Sequence, residues 1–152
     1  MGFEPMSATI RVSNGSLYDY VVIGENPKAT DGFDNTYDTI SPGNLNADMG
    51  QPYISVIIPH PDWKPAMREL RGDIRSPAKK QEWQLSITSS LPAGTPLSIV
   101  LQREQSSLPK GMKLTLREPT TTNETDLTAA SYSVPAPGAG KKSELTLIGL
   151  QP

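Results

Sequence analysis

Apolar and polar residues alternate along most of this chain with a period of two. Ala8, Ile10 and Val12 alternate with Ser7, Thr9 and Arg11, and Trp83, Leu85 and Ile87 alternate with Gln84, Ser86 and Thr88. Leu97, Ile99 and Leu101 keep the same spacing, as do Met112, Leu114 and Leu116, and then Leu145 and Leu147. In an extended strand successive side chains point to opposite faces, so each run predicts a strand with one buried and one wet face. Leu17 to Ile23 and Tyr53 to Ile58 are instead apolar on both faces. They predict central strands, or strands whose outer face is covered by something else.

Turn signals separate these runs: Asn14-Gly15, Ser41-Pro42-Gly43, Leu91-Pro92-Ala93-Gly94, Pro109-Lys110-Gly111, and Pro135 to Gly140. Strands are expected near 7–12, 17–23, 52–59, 67–75, 81–88, 95–102, 112–118, 130–134 and 143–150. That spacing predicts an all-β domain: a two-sheet antiparallel β-sandwich of about eight or nine strands, immunoglobulin-like or jelly-roll-like. The domain is expected to span 7–150 after an N-terminal tail at 1–6. Its 152 residues suffice for one core. Proline (15) and glycine (12) are spread so widely that no long helix fits between them, and a helical turn is expected only at Ala66 to Leu70. Residues 24–50 lack a convincing strand pattern and form a long acidic loop rich in Asp, Asn, Gly and Thr. Such a connection is uncommon in a compact domain and tends to be functional or mobile.

Composition narrows the chemistry. With no cysteine, thiolate nucleophiles, iron–sulfur clusters and thiolate zinc sites are excluded; with His60 the only histidine, so are imidazole-rich metal sites. No apolar run approaches the roughly 20 residues of a membrane-spanning helix. Residues 1–6 lack the basic start and apolar stretch of a signal peptide. Residues 1–62 carry eight acids against Arg11 and Lys28, a balance of −6, whereas 63–152 carry eight acids against twelve bases, a balance of +4. The asymmetry either orients a partner or neighbouring copies, or is intermixed on one surface by folding. The basic residues are scattered and rarely interleaved with aromatics, which argues against nucleic-acid binding.

Two segments offer candidate sites. Asp31, Asp34, Asn35 and Asp38, with Gly32 for a tight turn, present oxygen ligands of the kind calcium takes, although their spacing is not that of an EF-hand. The competing reading is that these residues cap turns while Phe33 and Tyr37 anchor the loop to the core. Trp63 stands in the proline-stiffened stretch Pro59-His60-Pro61-Asp62-Trp63-Lys64-Pro65. There it either stacks on a sugar or anchors a partner, with His60 and Tyr37 as further contacts, or it plugs one end of the fold. Trp83 faces inward on its strand and is expected in the core. Catalysis finds little support: a Ser-His-Asp arrangement would have to use His60, and no G-x-S-x-G elbow or phosphate-binding glycine loop accompanies it. Arg71-Gly72-Asp73 matches a cell-attachment tripeptide, a weak signal. The alternating charges of 68–75 point to a solvent-facing or edge strand, with Asp73 paired to Arg75 or Arg71.

The order Gly24, Ala29-Thr30-Asp31-Gly32-Phe33-Asp34, Asp38, Pro42, an apolar strand, Trp63, Asp73-Ile74-Arg75 and Trp83-Gln84-Leu85 resembles a known pattern. It is similar to small immunoglobulin- or fibronectin-like β-sandwich modules near the C-termini of large bacterial extracellular proteins, often beside adhesion, dockerin or sorting modules. The likeness covers roughly residues 17–118, and residues 119–142 depart from it. It implies structural roles for these motifs, no catalytic residues, and an extracellular or cell-surface setting. The expected function is a non-catalytic accessory or assembly module that binds another protein or a copy of itself. A carbohydrate-binding module and a calcium-stabilised subunit of a surface assembly are the alternatives.

Overall fold

A computed structural model describes residues 4–30, 32–33, 37–43, 48–119, 124–138 and 140–152. Among the described residues eleven strands form: β1 (Met6–Asn14), β2 (Leu17–Glu25), β3 (Thr39–Ile40), β4 (Ile54–Pro59), β5 (Glu69–Arg75), β6 (Lys80–Ser89), β7 (Pro96–Leu101), β8 (Lys113–Arg117), β9 (Glu124–Asp126), β10 (Tyr132–Pro135) and β11 (Ser143–Leu150). All nine expected strands are present. β3 and β9 are additional, and β3 lies inside the segment expected to be strandless. The turn expected at Ala66 to Leu70 is a 3-10 turn at Pro65–Met67. Within the stretch expected as a tail, Met6 opens β1 and is buried, and Glu4 N–H donates to Gln151 Oε1 at 3.0 Å.

The architecture differs from a two-sheet sandwich. One mixed sheet runs β10-β7-β1-β2-β5-β4-β6-β11-β8-β9, with β3 attached to β5, and rolls into a nearly closed, barrel-like form. The turning point is β4. Its residues 54–57 pair with β6, while Ile58 and Pro59 pair with Leu70 and Glu69 of β5, so one strand carries the sheet round from β5 to β6. The terminal strands of the path, β9 and β10, are consecutive in sequence and are joined across the seam by residues 127–131. Leu127 is buried there and donates its N–H to Leu114 O at 2.8 Å. The β2–β5 pairing is parallel, from Val22–Gly72 to Glu25–Arg75.

Local chemistry explains the elements. β1 and β2 are closed by a two-residue turn with Gly15 at φ +57°, the left-handed first position of a II′ hairpin. The inward residues of the alternating runs, including Ile10, Val21, Ile23, Trp83, Leu85, Ile87, Leu97, Ile99, Leu114 and Leu147, form one continuous core. Both strands expected to be central are central: β2 lies between β1 and β5, and β4 between β5 and β6. Residues 68–75 do not form an edge: β5 is flanked on both sides, with Leu70, Gly72 and Asp73 buried, while Arg68 and Glu69 are exposed as expected. The competing pull on this polar strand is satisfied by ion pairs, described next.

Candidate functional site

Asp73 is the centre of a polar network inside the wall of the fold. Its Oδ2 accepts a hydrogen bond from His60 Nε2 at 2.8 Å and pairs with Arg75 Nη2 at 3.0 Å. Its backbone carbonyl accepts the Trp83 indole N–H at 3.2 Å. With a carboxylate as acceptor, Nε2 carries the His60 proton. Two donors and a full charge partner are what a buried carboxylate needs to offset its lost hydration. The other face of this network carries Trp63. The His60 ring stacks on it at 3.8 Å between centroids and 11° between planes, and Phe33 meets it edge-on at 6.3 Å. Trp63 is half-buried and packs against the core; its carbonyl accepts Arg68 Nε–H at 2.9 Å.

The structure therefore brings His60 and Trp63 together and leaves Tyr37 apart. Tyr37 lines a shallow cleft of about 290 Å³ with Met6, Glu25, Asn26, Ile74 and Ser107. Asp31, Asp34 and Asn35 of the calcium candidate lie outside the described residues. Asp38 is buried and its Oδ1 accepts the Ile74 N–H at 2.8 Å, a contact that ties the loop to β5. Among the described residues no group of three or more His, Asp and Glu side chains converges on a metal-sized site. Arg71-Gly72-Asp73 is built into β5, with Gly72 and Asp73 buried and Arg71 Nη2 paired to Asp19 Oδ1 at 2.9 Å. It is not displayed as an attachment loop. That same pair joins the acidic first part of the chain to the basic second part, so their charges intermix here.

Two buried carboxylates were not singled out by sequence reasoning. Asp19 Oδ2 accepts the Val56 N–H at 2.9 Å, linking β2 to β4. Glu25 accepts the Ala78 N–H at 2.6 Å and the Gln151 Nε2–H at 3.1 Å, holding the C-terminus to β2. The available signal was an acid on the inward phase of an apolar strand. Asp19 has the phase of Val21 and Ile23.

An open surface concavity lies on the outer side of β4. It is an open groove of about 480 Å³, floored by Tyr53, Ser55 and Ile57 and flanked by Ser86 and Thr88 of β6. Pro59, Pro61 and Arg68 close one end, so the His60–Trp63 cluster buttresses the groove without lining it. No helix among the described residues is long and apolar enough to cross a membrane. The chain matches no protein-family model, no curated protein and no solved structure.

Proposed function

We propose that this protein is a non-catalytic assembly module acting outside the cell or at its surface, and that the groove over β4 takes an extended segment of a partner protein. The observation that carries this reading is the outward face of β4. The strand pairs with β6 along 54–57 and with β5 at Ile58 and Pro59, and it turns Tyr53, Ile57 and Pro59 outward into an open groove bordered by Ser86, Thr88 and the charged Arg68, Glu69 and Lys142. A strip of apolar and aromatic side chains with interleaved hydroxyls suits an extended peptide, whose alternate side chains drop into the groove while its backbone bonds the hydroxyls. The non-catalytic part of the reading draws on the His60–Asp73 pair, whose groups are already engaged by Arg75 and Trp63. The resemblance to extracellular β-sandwich modules supplies the setting.

Selection of a random-peptide library against the protein tests the reading. Extended binders are expected, and Ile57→Asp weakens them by about tenfold or more, the effect of placing a charge in an apolar contact. Binders indifferent to both Ile57→Asp and Ser55→Arg would exclude the groove. Light scattering over a wide concentration range reads the alternative occupant, a second copy of the chain.

A further inference from the structure

The outer face of β1 and β2 carries different chemistry from the groove, and none of its residues lines that groove. Arg11 stands opposite Tyr20 across the β1–β2 ladder, and Ser13 opposite Tyr18. Their sequence neighbours Ile10, Val12, Asp19 and Val21 are buried, so these four point outward. The Arg11 guanidinium carbon lies 4.2 Å from the Tyr18 ring centroid, and that of Arg71 lies 4.7 Å from the Tyr20 ring. Two guanidinium groups thus rest on two tyrosines, and stacking holds them on the wall of a rigid sheet.

The two arginines are not equivalent. Arg71 is balanced by Asp19. Among the described residues Arg11 has no ion-pair partner, and its Nε–H is shielded from solvent without a hydrogen-bond acceptor. Because that Nε–H is enclosed, an incoming carboxylate meets Arg11 at its terminal guanidinium nitrogens, where it neutralises the unpaired charge. On the partner side of the ladder Arg11 faces Val100 and Ser13 faces Ser98, so the surrounding surface is apolar and hydroxylic, with no carboxylate competing at these positions. Tyrosine, serine and arginine on a rigid support are the side chains that protein-recognition surfaces favour, because they contribute contact area and hydrogen bonds with little ordering cost.

We infer that the Arg11–Tyr18–Tyr20 face is a second docking surface, and that its occupant is an acidic polypeptide segment whose carboxylate is taken by Arg11. Tyr18, 55% exposed, supplies the aromatic ledge beside that contact. The commitment to an acidic occupant rests on charge complementarity at Arg11; the commitment to a polypeptide rests on the uncharged tyrosine and serine surround, which offers a highly charged polysaccharide a single unbalanced cation.

Fluorescence anisotropy with a labelled glutamate-rich peptide tests this on the full chain, with heparin in a parallel arm. Binding is expected to weaken as ionic strength rises from about 0.05 M to about 0.5 M. Arg11→Gln is expected to weaken it about tenfold or more, and Arg11→Lys by less, since lysine keeps the charge but loses the planar fork. Tyr18→Ser, at an exposed ring, gives an independent loss should Arg11→Gln fold poorly, and Lys113→Gln on β8 should bind as wild type. Peptide binding unaltered by Arg11→Gln or Tyr18→Ser, absence of peptide binding, or binding confined to heparin would each overturn the proposal.

Discussion

The two tryptophans sit on either side of Asp73 and are held by opposite kinds of physics. Trp83 is fully buried, lies on a regular strand, and is fixed by apolar packing plus one hydrogen bond to the Asp73 carbonyl. Trp63 is half-buried, lies in a proline-rich connection, and is fixed by the stacked His60 ring, which is itself held by the Asp73 carboxylate. One residue therefore serves a dry core through its backbone and a polar cap through its side chain. The lesson is that the core and the cap are coupled through β5, so perturbing the cap reaches the wall of the groove, where Pro59, Pro61 and Arg68 stand.

The contrast can be broken at either end. Trp83→Ala should cause the largest loss, about 3–5 kcal/mol in a denaturant titration, because it empties a fully enclosed site. Gly24→Ala should cost about 1–3 kcal/mol, since a Cβ there would lie 2.7 Å from both Ile74 Cδ1 and the Met6 carbonyl oxygen, and that oxygen belongs to the β1–β2 ladder. Asp73→Asn should cost about 2 kcal/mol: the carboxamide keeps the backbone link to Trp83 but loses the charge that holds His60 and Arg75. It should also alter Trp63 fluorescence, as should His60→Ala, at a smaller cost of about 1 kcal/mol. A global loss in Asp73→Asn with unchanged Trp63 emission would sever the proposed coupling.

The smallest effect concerns a tyrosine outside this network. The Tyr132 hydroxyl donates to Glu118 Oε1, and its pKa is pushed up to about 12, by burial first and then by the Glu118 hydrogen bond and charge. The folded state thus holds this proton more tightly than the unfolded chain. Its contribution to stability is complete below pH 10 and is lost as pH rises through about 12. Phenolate absorbance should show one late-titrating tyrosine, absent in Tyr132→Phe.

Much of the fold is legible in the sequence because a period of two is local information. The inward phases of β1, β6, β7, β8 and β11 follow directly from alternation, and Trp83 falls on one of them. β3 and β9 escape because Thr39–Ile40 and Glu124–Asp126 are too short to show any period. β5 differs from expectation in its place in the sheet, for a different reason. Its alternating charges suggest an edge, whereas the partners that hold Arg71 and Asp73 within the sheet, Asp19 and His60, are 52 and 13 residues away in the chain. The motif series from Gly24 to Trp83 also gains a physical meaning only in three dimensions: Gly24 pairs with Ile74, Asp38 caps the Ile74 N–H, Phe33 touches Trp63, and Asp73 joins Trp63 to Trp83.

The pattern of side chains by itself determined an all-β chain, the positions of its main strands, its central pair β2 and β4, and the residues of its core, because burial of alternate positions is written into each strand separately. Only the tertiary structure decided that the sheet rolls up through β4 instead of dividing in two, that β5 is interior, and that Arg11 is left unbalanced beside a satisfied Arg71. Those outcomes depend on which strands become neighbours, and hydrogen-bonded pairing and charge neutralisation between distant segments leave no periodic trace in the residues that will meet.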